Sequence, residues 1–223
     1  MSITPETVSK LLSSENLGDR LQAVNQIEQL PPAIAFDLAR KACVDNNARV
    51  RYAAVSKMAH LGQEDIQTAL NLLRDRLHND PEVDVQAAAA DSLGALKLTE
   101  AFDDLEKIYH NTKEWLLQIS IVAAIGEMGE PRAFTLLETA LNSDNSLVQT
   151  MAISALGELG NTKAIPLLIQ NANNSDWQIR YRVAQALARL GGDEARATLE
   201  ILAKDESETV AAEATNYLRS IAN

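Results

Sequence analysis

A segment of about 31 residues recurs along this chain, and that recurrence constrains its fold more than any other feature. Residues 147–160, LVQTMAISALGELG, align with residues 178–191, QIRYRVAQALARLG, at an offset of 31. With Gln149 as marker, the same frame runs through Arg20, Arg51, Gln86, Gln118 and Arg180. Six repeats result, with a partial seventh around Val210. Around each marker, apolar residues fall at −1, +3 or +4, +7 and +10, which is one stripe of an α-helix. Val50, Ala54, Met58 and Leu61 show it, as do Leu117, Ile121, Ile125 and Met128, and Ile179, Val183, Leu187 and Leu190.

At +11 stand Pro31, Gly62, Lys97, Gly129, Gly160 and Gly191, where a helix C-cap favours a residue tolerant of positive φ. Pro31 and Lys97 are the exceptions. A second apolar helix follows each turn, as at Ala133–Leu137 and Ala164–Ile169. Asp45, Asp80, Asp144, Asp176 and Asp205 then restart the cycle as N-caps or turn residues. Thr4, Pro5 and Glu6 mark the start of an opening helix that runs to about Ser14. Helix pairs in tandem with no strand signal predict an all-α chain, an α-solenoid (alpha-alpha superhelix) of about six helix pairs with a partial C-terminal seventh. No linker interrupts the pattern, so one repeat domain over residues 1–223 is expected.

Composition narrows the function classes. The formal net charge of −11 opposes phosphate backbones, so nucleic acid is not an expected partner. One cysteine, Cys43, cannot form an internal disulfide, and its apolar neighbours suggest a small core residue. No apolar run approaches the roughly 20 residues that a bilayer requires, and no leader pattern opens the chain. A soluble, cytoplasmic protein is the expectation.

Catalytic patterns are absent. The pairs Gly126/Gly129 and Gly157/Gly160 keep step with the repeat, so they read as helix ends and close-packing points, not phosphate cradles. His60, His78 and His110 are scattered, which predicts no metal site. No Ser, His and acid set nominates itself, and no catalytic residue is assigned.

In a repeat array, equivalent helix positions stack into ladders, and function resides on them. The marker helix is expected to line the concave side, with +1, +2, +5 and +9 pointing outward. The −3 and +1 ladders carry Trp115 and Trp177, and Tyr52, Ile119 and Tyr181. Arg182, Arg189, Glu127 and Glu158 occupy polar positions on the same face. Trp115, Trp177, Tyr52, Tyr181, Arg182, Arg189 and Glu158 are therefore the candidate binding residues. A tryptophan at a helix start also serves to seal an inter-repeat turn. Arg51 and Arg180, following Asp45 and Asp176, read as structural bridges within or between repeats.

The form Asp-x-x-Val/Ile-Arg/Gln-x-x-Ala-x-x-x-Leu-Gly-x-Leu-Gly resembles the phycobilisome-lyase type of HEAT-like repeat. It stands here as Asp176, Ile179, Arg180, Val183, Leu187, Leu190 and Gly191, and as Asp144, Val148, Gln149, Ala152, Leu156, Gly157, Leu159 and Gly160. The likeness spans nearly the whole chain. It implies helical repeats of the HEAT-like kind and action on phycobiliproteins, phycocyanin and allophycocyanin, of a light-harvesting antenna during its degradation. Phycocyanobilin, a linear tetrapyrrole, is the implied ligand, and no resident cofactor or metal is expected. On this resemblance Trp115, Trp177, Tyr52 and Tyr181 would contact the pigment, with Arg182 or Arg189 towards its propionates. Two other functions fit the same repeats: a non-catalytic protein–protein adaptor, and a bilin lyase that attaches the chromophore.

Overall fold

The computed structural model describes residues 2–220. They contain fourteen α-helices, four short 3-10 segments and no strand. The helices are α1 (Pro5–Leu12), α2 (Leu17–Gln26), α3 (Pro32–Ala42), α4 (Ala48–Leu61), α5 (Ile66–Asn79), α6 (Val83–Ala95), α7 (Phe102–Asn111), α8 (Trp115–Met128), α9 (Ala133–Leu141), α10 (Ser146–Leu159), α11 (Ile165–Gln170), α12 (Trp177–Leu190), α13 (Asp193–Leu202) and α14 (Glu208–Ser220). The even-numbered helices from α2 to α12 carry the markers, each followed by its odd-numbered partner, and α14 is the partial seventh. The fold is the expected all-α repeat of six helix pairs. Its contacts divide into two compact units, Met1–Ala124 and Ile125–Asn223.

The stripes are the core. Val50, Ala54 and Met58 have no solvent exposure, nor do Ile121 and Ile125, nor Val183 and Leu187. Each marker helix starts in the same way. The residue six before the marker accepts a hydrogen bond from the backbone N–H two residues on: Ser14 from Asn16, Asp45 from Asn47, Asp80 from Glu82, Thr112 from Glu114, Ser143 from Asn145, Asn174 from Asp176 and Asp205 from Ser207. These short polar side chains mimic a backbone turn and set the entry into the helix. Four residues tighten the pattern further as N-caps: Asn16, Asn47, Asn145 and Asp176. The expected cap at Asp144 is displaced by one residue, because Asn145 takes that position in the frame.

The marker side chain closes this loop from above. Arg51 Nη1 donates to the Asp45 carbonyl at 3.0 Å, and Arg180 Nη1 to the Asn174 carbonyl at 2.8 Å. Gln86 and Gln118 bond the Asp80 and Thr112 carbonyls in the same way. Where the marker is Arg, its remaining donors reach the loop of the next repeat. Arg20 pairs with Asp45 at 2.9 Å, Arg51 with Asp80 at 2.8 Å and Arg180 with Asp205 at 2.7 Å. The bridges therefore join successive repeats, and the carboxylates of Asp45 and Asp176 do not pair with Arg51 and Arg180; Asp176 instead caps α12 through the Gln178 N–H. Gln replaces Arg where the next loop carries a neutral residue, as with Gln86 ahead of Thr112 and Gln149 ahead of Asn174. A buried guanidinium without a carboxylate would be costly, so charge follows charge along the frame.

Close approach of marker helices depends on glycine. A Cβ at Gly94 would lie 2.6 Å from Ala124 Cα, one at Gly126 2.6 Å from Ala155 Cβ, and one at Gly157 2.9 Å from Ala186 Cα. Gly at +8 thus lies against Ala at +6 of the next marker helix. At +11 the expectation needs two corrections. Gly62 is right-handed, with φ −60°, and an added Cβ would lie 2.6 Å from Leu96 Cδ1, the end of a side chain, and 3.0 Å from Ala69 Cβ. Lys97, which looked like an exception, adopts φ 53° and is the one non-glycine positive φ among the described residues. A left-handed residue with a Cβ costs about 1–2 kcal/mol, partly offset by the greater chain entropy that glycine loses on folding. Lys97→Gly is accordingly expected to raise stability by up to about 1 kcal/mol, or the thermal midpoint by about 2–3 °C, measured by scanning calorimetry.

Candidate functional site

The expected binding residues fall in both units, Tyr52 and Trp115 in the first and Glu158, Trp177, Tyr181, Arg182 and Arg189 in the second. In the first unit Trp115 opens α8 and Tyr52 lies one turn into α4, each 49% exposed. Both residues are thus about half exposed to solvent. Beside Tyr52 runs a groove of about 390 Å³ across the first turns of α4, α6 and α8. Ala48, Ala87, Ala88 and Leu116 form its apolar lining, and Ser120 contributes a hydroxyl. Arg49, Glu82, Asp84 and Asp91 supply its charges, one cation against three carboxylates.

Two of the outward ladders differ from expectation here. Ala87 at +1 is 5% exposed, while Ala88 and Ser120 at +2 are 3% and 7% exposed. Successive marker helices converge on these small residues, which makes them the wall of a groove and not a projecting face. Arg49, Asp84, Asp91 and Ser120 were not among the expected site residues. The −2 position holds Arg49, Asp84 and Leu116, so reading that ladder alongside −3 and +1 would have found most of the groove.

In the second unit Trp177 opens α12 and is 44% exposed. One turn on, Tyr181 is half-buried, and its hydroxyl accepts from Gln185 Nε2 at 3.0 Å. The Arg182 guanidinium lies 5.8 Å from the Tyr181 ring centroid and donates to Gln185 Oε1 at 2.9 Å. Arg189 Nη1 meets Glu158 Oε1 at 3.1 Å on the exposed surface. A shallow cleft of about 60 Å³ lies between Ser154, Glu158, Arg182 and Arg189. The Glu158 carboxylate offsets Arg189, so Arg182 is the better placed of the two cations to meet an anionic group.

No cluster of three metal-ligating side chains occurs among the described residues. His78 bonds Asp104 at 2.8 Å. Cys43 is fully buried, and burial pushes its thiol well above the usual range, which suppresses thiolate reactivity. No helix among the described residues is long and apolar enough to cross a membrane.

This pairing of helices defines a family. The model of HEAT repeats matches residues 70–150 and 135–219, and the chain belongs to the HEAT-repeat family. Among solved structures it is similar to the complex of CpcE and CpcF of phycocyanin lyase from Nostoc sp. PCC7120, at 23% identity and a TM-score of 0.66, covering 98% of this chain and 88% of that one. It is also similar to YibA of Escherichia coli, at 16% identity and a TM-score of 0.59, over 97% and 93% of the two chains. An engineered protein matches at 20% identity and a TM-score of 0.60, over 98% of this chain and 68% of that one. A search of curated proteins finds no match.

Proposed function

We propose that this chain is a cytoplasmic phycobiliprotein-binding protein that acts in phycobilisome degradation, in the manner of the cyanobacterial degradation protein NblB, by binding phycocyanin or allophycocyanin and helping to detach their bilin. The observation that carries this reading is the exposure of Tyr52, Trp115 and Trp177, each close to half out in solvent on the expected ladders. Aromatic rings within the first two turns of a helix provide a large apolar contact area. In the second unit Trp177 and Tyr181 offer faces to a conjugated ligand, and Arg182 offers a cation to a propionate. The repeat motif and the fold likeness to the phycocyanin lyase complex support the same pigment context.

Two related readings share this surface. A bilin lyase would attach the chromophore, and an adaptor would join two proteins without touching pigment. The lack of a nominated acid, base or nucleophile favours binding over turnover.

The test mixes the purified chain with phycocyanin and, separately, with free phycocyanobilin, following the visible spectrum and co-elution on a sizing column. Co-elution with an altered bilin spectrum is expected. Co-elution with unchanged spectra would identify an adaptor, and no association with either would refute the proposal. Replacing Trp115 and Trp177 together by Ala is expected to weaken phycocyanin binding by at least about tenfold, since interface tryptophans commonly contribute about 2 kcal/mol or more. Unchanged affinity in a folded double variant would remove these residues from the site.

A further inference from the structure

The groove of the first unit has a chemistry of its own and shares only Tyr52 with the surface of the proposed function. Its walls are helix starts, its floor is apolar and its rim carries Glu82 and Asp84 beside Arg49. A propionate-bearing or phosphorylated ligand would meet net negative charge there. Ser120 adds a second feature. It is 7% exposed, lines the groove, and its side chain makes no hydrogen bond among the described residues. A serine in a helix usually satisfies its hydroxyl on a carbonyl of the preceding turn, as Thr150 does with Ser146 and Thr139 with Thr135. The residue is largely enclosed, yet its hydroxyl is not among the buried atoms without a partner, so the oxygen opens on the groove, where an incoming group can bond it.

We infer that this groove docks a basic segment of a protein partner, with an Arg or Lys side chain laid between the Tyr52 ring and the Asp84 carboxylate and an adjoining apolar side chain against Leu116. Charge complementarity selects the partner: cations are drawn to the rim by the carboxylates, and the exposed face of Tyr52 adds a cation–π contact. The groove crosses three successive marker helices, so it suits a length of chain and not a compact ion. A backbone N–H or carbonyl of that chain completes the Ser120 hydroxyl. Arg49 opposes the cation, so removing it strengthens docking.

Fluorescence anisotropy with a short labelled peptide carrying Arg and Leu in a Gly/Ser background tests this on the full chain at about 0.15 M salt. Controls are the same peptide with Glu for Arg, and spermine as competitor. Saturable binding of the basic peptide alone is expected, weakened about tenfold by Asp84→Lys and about threefold by Ser120→Ala, and tightened by Arg49→Ala. Ser120→Ala is expected to leave the melting temperature unchanged, because the hydroxyl has no partner in the free protein. Glu194→Lys, the same charge reversal on exposed α13, is expected to have no effect. Equal weakening by Glu194→Lys, or displacement by spermine at matched charge, would reduce the attraction to the general field of an acidic protein and overturn the docking site. Binding of the Glu peptide, or indifference to both Asp84→Lys and Ser120→Ala, would overturn it as well.

Discussion

Asp80→Ala is expected to destabilise the protein by about 3–5 kcal/mol in urea unfolding, the largest loss of any single polar substitution. The Asp80 side chain is fully enclosed and takes two 2.8 Å hydrogen bonds from Arg51, whose own side chain is 9% exposed. Arg76 adds a contact at 3.2 Å. Removing the carboxylate strands a buried guanidinium between two repeats. The same position elsewhere in the chain shows how to avoid that penalty, since Gln86 precedes Thr112 in the corresponding places. The double variant Arg51→Gln with Asp80→Thr is therefore expected to regain most of the loss. A double variant no more stable than Asp80→Ala would disprove the pairing rule.

The same pair sets an acid limit. Burial alone would raise the Asp80 carboxyl, but the Arg51 hydrogen bonds, the Glu82 N–H and the charges of Arg51 and Arg76 outweigh it and hold the group below the usual carboxylate range. At Asp205 the hydrogen bonds from Arg180 do the same. A carboxyl depressed in the folded state contributes stability that is complete above its unfolded value near 3.9 and lost as pH falls through the folded value. The urea midpoint is thus expected to be flat from about pH 7 to 5 and to fall steeply below about pH 4. The Gln/Thr double variant should fall less steeply.

Gly94→Val is the second large effect, an expected loss of about 3 kcal/mol or more, with Gly94→Ala at about 1–3 kcal/mol. Helix propensity alone predicts the opposite sign, because Ala in place of a helical glycine gains up to about 1 kcal/mol, less towards a helix end such as this. Contact decides against propensity here: the new Cβ would lie 2.6 Å from Ala124 Cα and 3.1 Å from its carbonyl oxygen, so backbone, and not a flexible side chain, would have to move. Thermal unfolding of the two variants and of Gly129→Ala separates space from backbone conformation. A Cβ added at Gly129 would meet nothing within 4 Å, and its cost arises only from φ 69°.

The expected architecture followed from periodicity, and it holds because an apolar stripe at 3.6-residue spacing can be buried only as a helix. The loops were half legible. Asp45, Asp80 and Asp205 announced turns, yet their arginine partners lie 25 or 29 residues away, in the neighbouring repeat, and no local spacing reveals that reach. The +11 position misled in both directions, since Gly62 is right-handed and Lys97 adopts a left-handed backbone.

The ring residues were legible as ladder members, and Tyr52, Trp115 and Trp177 are exposed. The groove was not, because it exists only where Ala48, Ala87 and Leu116, from three repeats, come side by side. By itself the sequence determined what each repeat does within its own 31 residues: the helices, their buried stripes and the turns between them, all of which are local. Only the tertiary structure decided which loop each arginine clamps, which glycine makes room for which alanine, and where small residues leave an acidic groove, since each of those depends on how one repeat lies against the next.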